Sequence, residues 1–182
     1  LHRALSAGDY STGSVTPTAA PSMDIQVSSN FERLLFDLEG RDGAKTAARM
    51  AAFEQSHNMQ LEPGMRTTAA GIFTSHRVDP DDMALAMRWA QDKAGQIIDP
   101  HSAIGLSAAQ HVDLDPSVPV VTLATAHPAK FPDAVERATG IRPALPRRVG
   151  DLFDREEKYS KLPGDYDSVK QFILSNATPS DG

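Results

Sequence analysis

Cysteine is absent from the 182 residues of this chain. Disulfides, thiolate zinc sites and iron–sulfur clusters built on the chain's own cysteines are therefore excluded. The absence fits a reducing compartment, and we expect a cytoplasmic protein. No apolar run approaches the roughly 20 residues that a membrane-spanning helix needs, so we expect no membrane association.

Clusters of basic residues are also lacking. Lys and Arg total 18 against 24 Asp and Glu, which gives a net charge of −6. The adjacent pair Arg147-Arg148 is too short to form a basic stripe, and we expect no nucleic-acid partner. The hydrophobic content of 40% and the length are sufficient for one ordinary domain with a real core.

Start signals and apolar periodicity predict a mostly helical chain. Ser29 and Glu32 have the spacing of a capping box, apolar residues follow at helical spacing to Leu38, and Gly40 ends the run. The other predicted helices begin at Asp42, at Asp79-Pro80, at Asp99-Pro100, at Pro132 and at residue 165.

Strand signals are few. Val118–Leu123 is a nearly continuous apolar run, which is typical of a strand buried in a parallel sheet, and a second short strand is possible over Ser22–Val27. One or two strands cannot form such a sheet. Either partner strands belong to another segment of the protein, or the count is too low. The predicted fold class is α/β, helix-rich, with few strands.

The two ends of the chain differ in character from its middle. Residues 6–22 are rich in Ser, Thr, Gly, Pro and Ala, a composition as typical of a disordered linker as of an ordered segment, and we expect residues 1–22 to be flexible. We expect residues 176–182 to be a frayed tail. The opening Leu1-His2-Arg3 is neither a start methionine nor a signal peptide, so we expect the sequence to begin partway through a larger protein.

One loop carries most of the chemistry. Thr125, His127 and Lys130 follow the apolar run and place a hydroxyl, an imidazole and an ammonium group at the carboxyl end of the predicted strand. Ligands of open α/β sheets bind at that end of the strands. The alternative is an ordinary βα loop whose Thr and His make local hydrogen bonds.

Four stretches, in order and spanning nearly the whole chain, resemble threonine synthases. Ala124–Phe131 is similar to the family's T-x-H-P-x-K-F pattern. Pro21–Arg33 resembles its P-S/A-M-D-I…S-N-F-E-R signature, and Asp99–Gly105 resembles its D-P-H-T/S-A-x-G turn. Leu1–Arg3 and Gly8–Tyr10 match the stretch that precedes the M-D-I motif.

The resemblance implies a pyridoxal 5′-phosphate enzyme of the tryptophan-synthase-β-like group (fold type II). Its members convert O-phospho-L-homoserine and water to L-threonine and phosphate. Residues 1–182 would then be the C-terminal portion of the catalytic large domain. The Schiff-base lysine would lie in a missing N-terminal portion, which becomes the expected partner. We expect this chain alone to be inactive and not to bind the cofactor by itself.

The resemblance also assigns roles to site residues. Thr125 would face the pyridine nitrogen of the cofactor, where a hydroxyl can donate to an unprotonated ring nitrogen. His127, Lys130, Asn30 and Arg33 are candidates for binding the substrate or its phosphate. It identifies no catalytic residue within the chain, and the histidines have no metal-ligand spacing.

Structural alternatives remain open for most of these residues. His127 could simply orient its own loop through a hydrogen bond. Asp24, Asn30 and Arg33 could serve as a helix cap and a surface pair. His101, at a helix start, is predicted to be structural.

Two alternative functions also remain open. The first is a non-catalytic helical interaction module whose motif matches are accidental. The second is a threonine-synthase-like lyase that acts on a related phosphorylated substrate.

Overall fold

The computed structural model describes residues 1–113 and 115–177, and helices dominate these parts of the chain. The helices are α1 His2–Ala7, α2 Phe31–Leu38, α3 Gly43–Ser56, α4 Pro63–Ala70, α5 Pro80–Ala94, α6 Pro100–Gln110, α7 Pro132–Thr139 and α8 Tyr166–Asn176. Short 3-10 turns lie at Pro21–Met23, Pro128–Lys130, Arg147–Val149 and Leu152–Asp154. The chain divides into two units, Leu1–Leu145 and Pro146–Gly182. The helix-rich fold class is confirmed.

Aspartate caps begin four of the predicted helices. The carboxylates of Asp42, Asp79, Asp99 and Asp165 each accept hydrogen bonds from backbone N–H groups in the first turn. These N–H groups have no partner inside the helix, so a short acidic side chain at this position fixes where the helix starts.

Two local predictions at helix starts are corrected. The capping box is wrong, because α2 begins at Phe31 with Asn30 at the N-cap position and no side chain caps it. The carbonyl of Ser28 accepts from the Phe31 N–H instead (3.0 Å). Helix α4 was not predicted, because Gly64 near its start and few apolar positions weaken the periodic signal.

Neither predicted strand is present in the described parts of the chain. In the described parts of the chain, β-pairing is limited to one isolated bridge between Asp9 and Gln60. Val118–Leu123 has no regular structure, and Val121 is 80% exposed. A strand needs a neighbour to accept and donate its backbone hydrogen bonds, and no described segment pairs with this run.

The second predicted strand, Ser22–Val27, contains part of a 3-10 turn instead. The carboxylate of Asp24 accepts from the backbone N–H of Thr18 (2.6 Å) and from its hydroxyl (2.9 Å). Such local side-chain hydrogen bonds compete with an extended ladder and favour a closed loop.

The first unit contains two apolar clusters. The N-terminal cluster joins parts of α1 to α4 and consists of Ala4, Tyr10, Phe31, Leu35, Phe53, Met59, Leu61 and Met65. The Tyr10 ring lies between Phe31 and Phe53, with ring centroids 4.5 and 5.3 Å away. Its hydroxyl accepts from the Ser28 N–H (2.7 Å). Tyr10 is thereby anchored; the flexibility of residues 1–22 stays a prediction.

Gly8 ends α1 in a conformation that other residues rarely adopt. Its φ is +82°, in the left-handed region. A Cβ atom built there would lie 3.1 Å from the Leu61 carbonyl oxygen and 2.9 Å from Cδ of Arg66. The close approach allows the Gly8 carbonyl to accept from the Leu61 N–H (2.8 Å).

The second cluster, which we call the Met87 cluster, holds the three helices that carry the candidate site. It consists of Ala20, Met83, Ala86, Met87, Ala103 and Val135. Helix α5 packs against both α6 and α7. Its buried residues Met83, Ala86, Met87 and Ala90 follow the i, i+3, i+4, i+7 spacing of one helix face. The cluster therefore packs α6 and α7 against α5.

The second unit has little apolar burial of its own. Helix α8 contains no buried residue, and the side chains of Phe153, Tyr166 and Ile173 are exposed. The predicted frayed tail, 176–182, lies outside the described residues from position 178 onward. None of the described helices is long and apolar enough to cross a bilayer.

Helix α5 offers a matched test of the core assignment. Met87 is 1% exposed, whereas Leu85, two positions away, is 55% exposed. We expect Met87→Ala to lower the free energy of unfolding by about 2–5 kcal/mol, because it leaves a cavity. Leu85→Ala should change it by less than about 1 kcal/mol. Urea unfolding measures both, and equal losses would show that the helix face is misassigned.

Candidate functional site

A buried carboxylate organises the start of α6. Asp99 is 0% exposed. Its Oδ1 accepts from the Ser102 N–H (3.1 Å) and from the Ser102 hydroxyl. Its Oδ2 accepts from the His101 N–H (2.9 Å) and lies 2.8 Å from Nδ1 of the His101 ring. Four donors thus converge on one carboxylate.

Ser102 connects this carboxylate to the loop at Thr125. The Thr125 backbone N–H donates to Ser102 Oγ (3.0 Å). A serine hydroxyl has one proton, and that proton is directed at Asp99. Oγ therefore accepts from Thr125 and donates to Asp99, and the loop is tied to α6 through two consecutive hydrogen bonds.

His101 connects the same carboxylate to the turn at Ser22. The Ser22 N–H donates to Nε2 of His101 (3.2 Å), so this nitrogen carries no proton. The proton is then on Nδ1, which donates to Asp99. This assignment follows from the hydrogen-bond partners. The His101 ring thus bridges Asp99 and the Ser22 turn; that its role is structural stays a prediction.

The surroundings of Asp99 favour its ionised form. Burial by itself would raise the pKa of the carboxyl group. The hydrogen bonds from Ser102 and His101, through side chains and backbone, outweigh burial and lower the pKa below its ordinary value. No Lys or Arg in the described parts of the chain forms an ion pair with Asp99, so hydrogen bonds and the helix N-terminus hold the charge.

The loop from Thr125 onward presents three polar groups. The Thr125 side chain is exposed, and its hydroxyl makes no hydrogen bond with any described residue. Nδ1 of His127 accepts from the Ala129 N–H (3.1 Å), which leaves Nε2 as the protonated nitrogen. This is the loop-orienting hydrogen bond that was the alternative role predicted for His127. Lys130 is exposed, with its Nζ 5.9 Å from the Phe131 ring centroid.

Phe131 packs this loop against the Asp99 group. Its ring centroid lies 4.6 Å from that of His101, with the planes tilted by 51°. The Pro128–Lys130 turn ends immediately before Phe131, and α7 begins immediately after it. The segments around Ser22, Asp99 and Thr125 are therefore brought together in space.

Asn30 and Arg33 lie elsewhere in the hydrogen-bond network. No hydrogen bond among the described residues joins either of them to the loop at Thr125. Arg33 lines a surface groove of about 520 Å³ together with Glu32, Asp37 and Arg41. Two arginines and two carboxylates give this groove no excess positive charge, so its geometry adds no support for an anion site.

The loop presents donors with the chemistry to contact a ring nitrogen and a phosphate. The Thr125 hydroxyl, which has no described partner, is a suitable donor to a ring nitrogen. The Thr125 backbone is held by its hydrogen bond to Ser102. Nε2 of His127 and Nζ of Lys130 are suitable donors to a phosphate. Within the described residues, no group of three or more acidic or His side chains could hold a metal ion.

Sequence reasoning missed Asp99 and Ser102 as members of the site. Asp99 was identified as a helix start, and both residues lie in the stretch that resembles the D-P-H-T/S-A-x-G turn, but neither was assigned to the site. The available signal was the order Asp-Pro-His-Ser, in which a cap residue is followed by two side chains that can donate back to it.

Comparisons with known proteins agree on one family. The model of the family described as "Threonine synthase, C-terminal" matches residues 102–173. A threonine synthase of Pseudomonas aeruginosa is 44% identical over 174 residues, which cover 95% of this chain. A human protein named threonine synthase-like 2 is 34% identical over 161 residues, 87% of this chain and 33% of that protein.

A solved structure shows the same agreement in three dimensions. The crystal structure of a PLP-bound threonine synthase from Brucella melitensis matches with a TM-score of 0.83 and 39% identity, over 96% of this chain and 37% of that one. The Pseudomonas aeruginosa match likewise covers 37% of that protein's length. The chain thus spans about a third of the length of the relatives it matches.

The lowered pKa of Asp99 predicts a pH-dependent stability. Its ionised form stabilises the folded state above the unfolded pKa of about 3.9, and this contribution is lost as pH falls through the lower folded pKa. We expect Asp99→Asn to destabilise the protein near neutral pH by about 1–3 kcal/mol. The deficit should be constant from neutral pH down to about pH 5 and should shrink as the pH falls below about 4. Urea unfolding of both forms across this range is the measurement, and a deficit independent of pH would contradict the assignment.

Proposed function

Because the chain belongs to the threonine synthase family and matches the C-terminal part of its members, we propose that the protein containing it makes L-threonine. The reaction would convert O-phospho-L-homoserine and water to L-threonine and phosphate, as a lyase of the cytoplasm. One observation carries the proposal. Segments from three family motifs meet at Asp99, and the Thr125 hydroxyl beside them is exposed and without a described partner.

In this proposal the chain supplies one wall of the active site. Pyridoxal phosphate, when bound, would stabilise the carbanions of the substrate. The Thr125 hydroxyl would donate a hydrogen bond to the pyridine nitrogen, a neutral contact that leaves the nitrogen unprotonated. A carboxylate in its place would hold a proton on the nitrogen. The hydroxyl thereby sets how strongly the ring withdraws electrons.

Two further side chains of the loop would bind phosphate. His127 would donate from Nε2, because Nδ1 is occupied by the Ala129 N–H. Lys130 would act as a point charge. Asn30 and Arg33 stay secondary candidates from the family pattern. The lysine that attaches the cofactor would come from an N-terminal portion, which is the partner this chain would need.

A second candidate is a lyase acting on a related phosphorylated substrate. The similarity to a protein named threonine synthase-like 2 supports keeping it. Comparing O-phosphohomoserine with other phosphorylated amino alcohols as substrates of the complete protein separates the two. The interaction-module alternative assumed accidental motif matches, and 44% identity over 174 residues removes that assumption.

We expect the 182-residue chain alone to release no phosphate from O-phosphohomoserine. It contains six lysines, and only Lys130 lies in the site loop, in a family position that is not the cofactor-attaching one. The measurement is phosphate release with added pyridoxal phosphate, beside the full-length protein. A helical far-UV spectrum of the chain is the control for folding. Turnover above an enzyme-free blank would contradict this expectation.

Thr125 can be tested in the full-length protein by two substitutions. Thr125→Val keeps the shape but removes the hydroxyl, and losing a hydrogen bond to a buried ring nitrogen costs about 1–3 kcal/mol. We expect kcat to fall about 10- to 100-fold with little change in KM, since the electron demand of the ring grows toward the transition state. Thr125→Ser should retain most activity.

Steady-state kinetics and the absorbance of the bound cofactor provide the measurements. The cofactor should remain bound in both variants, because its other attachments are unchanged. If both variants match the parent, Thr125 is an ordinary loop residue and the site assignment is wrong.

A further inference from the structure

We propose that Asp99 is a positioning residue that fixes the Thr125 loop through Ser102 and the Ser22 turn through His101. Only the catalytic consequence rests on the proposed function, through the role of Thr125. The positioning itself rests on hydrogen bonds that are present in this structure.

The direction of each hydrogen bond follows from the ionised carboxylate. A carboxylate only accepts, so every group around it must donate. The Ser102 hydroxyl is turned toward Asp99, and its lone pairs are left for the Thr125 N–H. The backbone of Thr125, rather than its side chain, makes the anchoring bond, which leaves the side-chain hydroxyl available.

An ordinary helix cap would not need this arrangement. Among the described residues, Asp79, which also precedes a proline, accepts only from the backbone N–H groups of Asp81 and Asp82. Asp99 accepts from two backbone groups and, in addition, from the side chains of Ser102 and His101. These two additional bonds lead to segments 23 and 79 residues away in sequence.

Asparagine cannot replace Asp99 without loss. It has the same shape but offers one acceptor oxygen and one NH₂ group. In either orientation of the amide, the NH₂ faces a backbone N–H, of His101 or of Ser102, and that group loses its acceptor. Asparagine is nevertheless an adequate cap where only one oxygen is used. Both N–H groups at Asp79 point to Oδ1, so Asp79→Asn is a matched control.

The first measurement is amide hydrogen exchange at Thr125 in the full-length enzyme. Ser102→Ala removes the acceptor of the Thr125 N–H and should speed exchange about three- to tenfold, the fold-change expected for one net hydrogen bond. Asp99→Asn should act in the same direction. Ser102→Thr, which keeps the hydroxyl, should restore slow exchange, and Asp79→Asn should leave it unchanged.

The second measurement is a double-mutant cycle on kcat. Ser102→Ala should lower kcat about three- to tenfold without a matching change in KM, because it loosens a group needed in the transition state. In the Thr125→Val background the same substitution should have little further effect on kcat. Asp79→Asn should leave kcat unchanged in both backgrounds.

The outcomes separate this inference from the proposed function. Unchanged exchange at Thr125 in Ser102→Ala would overturn the positioning role, as would an equal loss of kcat in both Thr125 backgrounds. If Thr125→Val leaves kcat at the parental value, the cofactor-facing role of Thr125 fails. The exchange measurement then still decides whether Asp99 and Ser102 hold the loop.

Discussion

The buried carboxylate of Asp99 is the constraint on which the site depends. A charge with no exposed surface must be satisfied by donors from the protein, and here no described Lys or Arg supplies one. The donors come from the first turn of α6 and from two of its side chains. Those side chains are held in turn by the backbone of Ser22 and Thr125. Satisfying one carboxylate therefore fixes the relative position of three segments.

The Met87 cluster supplies the rigid support for this arrangement. Ala86 on α5 and Ala103 on α6 are small buried residues of this cluster, and Val135 contributes α7 to it. The Thr125 backbone is held by its hydrogen bond to Ser102, and the Thr125 residue is exposed. A polar side chain that is exposed on a fixed backbone is suited to contact a ligand, because its position does not depend on the ligand.

Local sequence signals were sufficient for most helices. Asp-Pro pairs at 79 and 99 fixed two starts, because the carboxylate caps the first turn and proline tolerates the first position. A local signal was not sufficient at Val118–Leu123, where an apolar run alone was interpreted as a strand. Strand formation depends on a neighbour distant in sequence, and the composition of one run contains no information about that neighbour. The Ser29 capping box failed for a local reason, since α2 begins at Phe31 with Asn30 at the N-cap position and no side chain caps it.

The sequence by itself determined that this chain is helical, where most of its helices begin, and which loop carries a hydroxyl, an imidazole and an ammonium group. These features follow from bonds between residues a few positions apart. Only the tertiary structure decided that Ser22, Asp99 and Thr125 meet, which nitrogen of His101 carries the proton, and that Ser102 joins the loop to a buried charge. Those contacts span 23 to 79 positions, and long-range hydrogen bonds are set by the packing of helices that no local pattern encodes.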